Sequence, residues 1–266
     1  MKPALLLDVL RQKKPLIHHI TNMVTVNECA NITLVAGALP IMAHAPEEVE
    51  EMVGHAGALV LNIGTLAPAQ VDAMLKAGRR ANELGIPIVL DPVGAGATAL
   101  RSESAKRLLA KLRIGIIKGN AAEIAVLAGG AAEIKGVESI AVSGDVSTLA
   151  ASLAQATGAA VAVTGPVDRV TDGVRLVEIK NGHPLMGSVV GTGCMSASLA
   201  GCFAAVEKDG LRAAVAALTI FGVAAELASL RTQAPAAFRV ALFDELFSLS
   251  AETVESRQKI TERMID

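Results

Sequence analysis

The 266-residue sequence predicts an α/β fold with a central, mostly parallel sheet flanked by helices on both faces. Two observations carry this. Short β-branched or apolar runs alternate with longer Ala- and Leu-rich segments, as expected when parallel strands are buried between helices. Short polar or Gly-rich motifs also follow directly on several of the apolar runs. In open α/β sheets the ligand crevice lies outside the carboxyl ends of the strands.

Taken in order, the clearest strands are 58–63, 87–90, 113–117 and 159–163, with a further strand implied before Asn22 and another before Met42. Helices are expected over Pro68–Leu84, with Pro at its start and Gly85 past its end, and over 102–112. From 168 to 179 the pattern shifts towards alternation around Thr171-Asp172-Gly173, which reads as a hairpin at the sheet edge. Beyond Thr192 the pattern is almost wholly helical. With no linker, repeat or low-complexity segment, residues 1–266 read as one domain.

Composition excludes several function classes. A net charge of −2 offers no general attraction for nucleic acid, and the lack of Trp and Tyr removes two good base-stacking residues. Apolar stretches break at Gly, Pro or a charge before reaching membrane-spanning length, and the amino-terminal run is interrupted by Asp8. A cytoplasmic protein is therefore expected. Only 19% of the residues are charged, so some apolar surface is expected to meet another subunit. Three cysteines without CxxC spacing indicate neither a disulfide framework nor a zinc site.

Asn62-Ile63-Gly64-Thr65, Asp91 to Gly96, Lys118-Gly119-Asn120 and Thr164-Gly165 all lie at strand ends and should converge on one edge. Gly191-Thr192-Gly193-Cys194 opens a long helical segment, where glycines permit close backbone approach and unpaired N–H groups suit a phosphate. Cys194, near that helix start, should have a depressed thiol pKa and could accept a proton from an alcohol; the alternative is a small packed residue. Asp91 and Glu123 could hold the water shell of Mg²⁺, with Lys118 adding positive charge beside phosphates. Asn120 and Glu123 equally satisfy a plain helix cap. The run from Gly94 to Ala99 formally matches a dinucleotide fingerprint. It lacks the acidic residue about 20 positions on and comes too late in the chain, so NAD binding is rejected; no P-loop is present. His18 and His19 are adjacent on a strand, poor geometry for one metal, and read as structural. Asn22 and Met42, at successive strand ends, could present an amide and a soft apolar side chain to a small ring, or be simply a turn and a core residue.

Seven segments together resemble the hydroxyethylthiazole kinases: HHITNMVTVN at 18–27, PIMAHAPEE at 40–48, LVLNIGTL at 59–66, LDPVGAGAT at 90–98, IIKGNAAEI at 116–124, VAVTGPVD at 161–168 and VVGTGCMSA at 189–197. The likeness covers most of the chain in order. GTGC alone is also similar to hydroxymethylpyrimidine kinases, the nearest alternative; a noncatalytic nucleotide-binding module is the alternative of a different class. The resemblance implies a ribokinase-like fold and transfer of the ATP γ-phosphoryl group, with Mg²⁺, to the hydroxyl of 5-(2-hydroxyethyl)-4-methylthiazole. It also implies a homotrimer with sites at subunit interfaces. By motif, Met42, Gly191 and Asn22 would contact the thiazole, and Lys118, Thr164, Asn120 and Gly193 the nucleotide. Cys194 would be the base where the wider class has Asp. Lys118 stands where Arg is common, which keeps charge but loses bidentate geometry. Ala234-Pro235-Ala236-Ala237-Phe238 departs from a usual Gly-Pro-Gly-Ser-Phe.

Overall fold

The computed structural model describes residues 2–265 apart from 130–131, 136–137 and 143–145, and gives the backbone alone for 132–135 and 138–142. The chain begins α1 (Pro3–Lys13), β1 (Leu16–Ile20), α2 (Val26–Ala36), β2 (Leu39–Ile41) and α3 (Val49–Gly54). The alternation continues through β3 (Ala58–Asn62), α4 (Pro68–Leu84), β4 (Ile88–Asp91), α5 (Ala99–Lys111), β5 (Ile116–Asn120) and α6 (Ala121–Leu127). A hairpin of β6 (Ala132–Lys135) and β7 (Glu138–Val142) precedes α7 (Val146–Thr157) and β8 (Ala160–Thr164). β9 (Asp168–Thr171) and β10 (Arg175–Ile179) lead to a 3₁₀ turn, Pro184–Ser188. The chain then adds α8 (Thr192–Ala204), α9 (Gly210–Arg231), α10 (Pro235–Ser248), α11 (Ala251–Arg257) and β11 (Ile260–Met264).

Among the described residues nine strands form one sheet in the order β11-β10-β9-β8-β5-β4-β3-β1-β2. From β2 to β8 neighbours are parallel, and from β8 to β11 antiparallel. Alternation along each buried strand divides the core in two. Ala58 and Val60 pack with α1, α2, α8, α9 and α10, whereas Leu59 and Leu61 pack with α3, α4, α5 and α7 on the other face. The fold is the α/β sandwich expected, and the hairpin around residues 171–173 lies where the alternation put it.

Three expectations shift. The strand placed at 113–117 is Ile116–Asn120, so Lys118 and Asn120 are strand residues. The carboxyl-terminal region is not wholly helical, because β11 adds an antiparallel edge strand to β10. Its ITERM sequence leaves four of five residues exposed, so no apolar alternation marks it. Finally, α9 is by length and composition apolar enough to cross a membrane, contrary to the expectation that no segment is. Of its most apolar window 83% is buried, and it packs as a core helix against α8, α10 and α1.

Candidate active site

Parallel register makes the polar row. Asn62 stands opposite Asp91, and Leu90 opposite Ile117, so Lys118 comes next in line beside Asp91. Side chains at matched positions share a face, here the face covered by α8. Asn62 donates to Asp91 Oδ2 at 2.6 Å, while its Oδ1 accepts from Asn22 Nδ2 at 2.9 Å and from the Gly64 amide at 2.9 Å. Asn22 Oδ1 in turn accepts from the amide and hydroxyl of Thr25, at 3.0 and 3.1 Å. These buried amides are held by their own bonds, as buried polar groups must be.

Cys194 closes the row from above. It occupies the first turn of α8, whose N-cap Gly191 has φ 96° and supplies no side-chain cap. A Cβ on Gly191 would lie 2.8 Å from Thr25 Cγ2, so only glycine lets the helix start sit against the Asn22–Thr25 turn. Cys194 Sγ accepts from Asn22 Nδ2 and Asn62 Nδ2, each at 3.3 Å. The expected depression of its pKa is overturned. Burial, then the nearby Asp91, raises it above the ordinary thiol value, outweighing Thr25, Lys118 and Asn62. A helix start favours thiolate only where solvent or a cation outweighs desolvation, and here neither does.

Lys118 Nζ lies 3.5 Å from Asp91 Oδ1, both groups fully buried. Burial alone would lower the Lys118 pKa, but Asp91, Glu123 and Cys194 together hold it above its usual value and so keep the ammonium charged. Asp91 is pushed up to about 7 by burial and by Glu123, against the pull of Lys118 and Asn62. A Cβ on Gly193 would stand 3.3 Å from Lys118 Nζ, so the missing side chain is what opens the α8 amino terminus to this ammonium.

Glu123 meets the plain cap reading as well. Its Oε2 accepts the Asn120 amide and Asn120 Oδ1 accepts the Glu123 amide, at 2.8 and 2.9 Å, a complete capping box. Its Oε1 accepts the Gly94 amide at 2.8 Å, tying the loop after Asp91 to α6. Asp91 Oδ1 is the one carboxylate oxygen of the pair left without a hydrogen bond. Among the described residues no three His, Cys, Asp or Glu side chains cluster to hold a metal directly. Hard oxygen donors with one oxygen held only by the Lys118 ion pair suit a cation that keeps most of its water, as Mg²⁺ does.

Beside this row opens a cleft of about 650 Å³. Asn120, Thr164 and Gly193 line it, together with Asp168, the segment around Asn181–Gly187, and Leu218 and Phe221 of α9. Thr164 stands opposite Asn120 in the sheet, and its hydroxyl donates to Gly119 O at 3.3 Å. Nine of the ten residues singled out from sequence thus surround the row and its cleft. Met42 stands further out on the same carboxyl edge: it follows β2, one strand beyond β1, and is half-buried there. His18 and His19 are buried, with ring nitrogens on Ala43 O and Ile17 O, and burial lowers both pKa values, that of His19 to about 4. They serve the sheet.

Sequence reasoning missed the hub role of Asn62, although its strand-end motif was visible, and missed Asp168, Asn181 and Phe221 altogether. Asp168 Oδ1 accepts the Gly165 amide at 2.9 Å, yet burial pushes its carboxyl up to about 6. A folded-state value above the unfolded one means that the ionised form costs stability, progressively from about pH 4 and fully above about pH 6. Asp168→Asn keeps an acceptor for Gly165 without the charge. It should add on the order of 1–3 kcal/mol at pH 8 and nothing at pH 4, in nucleotide-free thermal unfolding. Equal gains at both pH values would refute the burial cost.

Residues 7–252 match the family model described as the hydroxyethylthiazole kinase family. The chain belongs to that family. It is 56% identical to the hydroxyethylthiazole kinase of Methanocella arvoryzae, covering 96% of both chains, and 54% identical to that of Thermoanaerobacter pseudethanolicus, covering 96% of this chain and 97% of the relative. The solved structure of the hydroxyethylthiazole kinase protein from Pyrococcus horikoshii superposes with a TM-score of 0.89 at 41% identity, over 98% of each chain. A ribokinase-like superfamily protein from Enterococcus faecalis, 11% identical, superposes with a TM-score of 0.59 over 89% of this chain and 87% of that one. At that identity the likeness speaks for the fold alone. The fold is ribokinase-like. In this family member the departing segment 234–238 opens α10, with Pro235 in its first turn. The three alanines are exposed, and Phe238 is buried with its ring 6.3 Å from that of His183. Alanine at the three positions that depart from the family stretch, 234, 236 and 237, is compatible with a helix start and leaves that packing in place.

Proposed function

We propose that the chain, acting as one domain, phosphorylates the hydroxyl of 5-(2-hydroxyethyl)-4-methylthiazole with ATP as donor, in thiamin salvage. The observation that carries the reading is the adjacency of two chemistries. A buried ammonium beside an open helix start meets a thiol fed by two amides, in a chain more than half identical to enzymes of that name. The cleft from Thr164 to Gly193 takes the nucleotide, its phosphates against the first-turn amides of α8 and Lys118. Asn22 and Gly191 hold the thiazole alcohol near Cys194.

Phosphoryl transfer depends mainly on alignment and charge neutralisation. Lys118 and the α8 amides supply fixed positive potential where charge develops, without reorganising during the reaction. A hydrated Mg²⁺ held through Asp91, with Glu123 fixing the loop behind it, would neutralise phosphate charge. Cys194 accepts the hydrogen bond of the alcohol at Sγ and orients its oxygen. With its raised pKa the thiol assists as an acceptor and contributes less than the electrostatics. The deciding experiment follows ADP release with the thiazole alcohol and, side by side, the hydroxymethylpyrimidine alcohol. Preference for the pyrimidine sinks the substrate assignment, and nucleotide binding without turnover of either sinks the enzyme.

Asp91→Asn keeps the bond to Asn62 but removes the charge, and should raise the Mg²⁺ concentration for half-maximal rate by about tenfold. An unchanged Mg²⁺ titration of the folded variant removes Asp91 from the metal site.

A homotrimer is also part of the reading. Met23 and Val24, directly after Asn22, and Val190, directly before Gly191, are 83%, 63% and 74% exposed. Large apolar side chains bare on both flanks of the substrate residues suit a site completed by another subunit. Sedimentation equilibrium should give three times the chain mass; a fully active monomer contradicts it. A cytoplasmic setting accords with three free cysteines, two of them buried.

A further inference from the structure

We propose that Asn181 is a positioning residue for the nucleotide. It fixes the cleft wall that runs into the turn Pro184–Ser188 and thereby the width of the slot facing α8. The inference rests on the assignment of the cleft to the donor nucleotide.

The wall consists of Asn181, Gly182, His183, Pro184, Met186 and Gly187. It is irregular backbone between a strand end and a helix start; Leu185 and Met186 pack it against the core, and hydrogen bonds fix its two ends. The far end is pinned by Thr192, whose hydroxyl in the first turn of α8 donates to Met186 O at 3.0 Å and lies 3.4 Å from Val189 O. The near end is pinned by Asn181. Its Nδ2 donates to Glu226 Oε1 at 3.1 Å on α9 and to Arg257 O at 2.9 Å at the end of α11. Its Oδ1 accepts the Lys259 amide at 2.7 Å. The side chain is buried, and one amide thus joins the exit of β10, the core helix and the start of the carboxyl-terminal strand.

Two neighbouring features show how closely the junction is built. A Cβ on Gly222 would lie 2.8 Å from Asn181 backbone and side-chain atoms, so α9 has no side chain where the wall crosses it. Gly182 has φ 133°, and its amide reaches the same Glu226 oxygen at 3.2 Å. The residue adjoining Gly222 on α9 is Phe221, which lines the cleft. The Asn181 bonds therefore set the distance between the wall and the apolar floor. An amide that served only to stabilise the carboxyl-terminal strand would lie away from the cleft; this one lines it.

The test is a split between substrates. Asn181→Ala should raise the KM for ATP, and the dissociation constant of a non-hydrolysable ATP analogue measured by calorimetry, by about tenfold. The kcat and the alcohol KM should stay within about twofold of the parent. Lys259→Ala removes the exposed pair with Glu226, 3.0 Å long, but leaves the backbone amide for Asn181, so nucleotide affinity should not change. Where Asn181→Ala fails to fold, Glu226→Ala carries the decision, since it frees the Gly182 amide and removes one of the three Asn181 side-chain bonds. Unchanged ATP affinity in the folded variant, or both KM values and kcat shifting together, overturns the role. The calorimetric arm is independent of the acceptor. If the parent binds the analogue but ignores the thiazole alcohol, the substrate assignment fails while the Asn181 result still stands; no binding by the parent overturns the inference itself.

Discussion

Lys118→Ala should lower kcat/KM for ATP by about 10³-fold, the largest single loss expected in this protein. The ammonium is buried and stays charged because Asp91, Glu123 and Cys194 outweigh the cost of burial. It stands close enough to Gly193 that even a methyl group there would touch it, so it shares the anion site of α8. Removing it deletes a preorganised charge and leaves Asp91 facing Glu123 with its counter-ion gone. Asp91, already pushed up to about 7, would then take a proton instead of ionising, and its share in the metal site would fall as well. Both losses act on the phosphates, whereas the alcohol contacts through Asn22 are untouched. Lys118→Arg keeps the charge and should recover most of the rate, although the larger guanidinium must fit beside Gly193. Steady-state kinetics of both variants, with thermal unfolding to show that each is folded, decide the matter. An Ala variant within tenfold of the parent would remove Lys118 from the phosphate site.

The sheet edge was legible because each polar motif follows an apolar run, and parallel register does the rest: residues ending adjacent strands become neighbours whatever their distance in sequence. Asn62 and Asp91 are 29 positions apart and 2.6 Å apart in space. Less legible was anything that depends on what covers the edge. Lys118 and Asn120 look like loop residues to a local reading, since a charged strand residue in a buried sheet is stable only with the partners that α6 and β4 bring. The helix start at Cys194 could be seen in the sequence, but the burial and the Asp91 carboxylate that reverse its pKa could not. Phe221 and Leu218 belong to a helix apolar on every side, so their sequence carries no mark separating cleft floor from core. Asn181 was hidden because its partners lie 45, 76 and 78 residues downstream.

Cys194→Ala should lower kcat by roughly 10- to 10³-fold and leave the nucleotide KM nearly unchanged, because a general acid–base group is typically worth at most 10²–10⁴ and the α8 amides remain in place. The structure sharpens this expectation. Two amide donors converge on Sγ at 3.3 Å, so the sulfur is held as an acceptor in a fixed position even though burial keeps its proton on. Alanine leaves both donors without that acceptor and the alcohol without its guide. Cys194→Asp offers the same two amides a stronger acceptor, with Lys118 close by, and should retain or exceed the parent rate. Its charge also stands near Asp91 and the incoming phosphates, so the nucleotide KM should rise. Measuring kcat and both KM values for the parent, Ala and Asp forms separates the roles. If the Ala form turns over normally while the Asp form is inert, Cys194 does no more than fill the space between Asn22 and Asn62, and the acceptor of the alcohol's hydrogen bond must be sought elsewhere in the row.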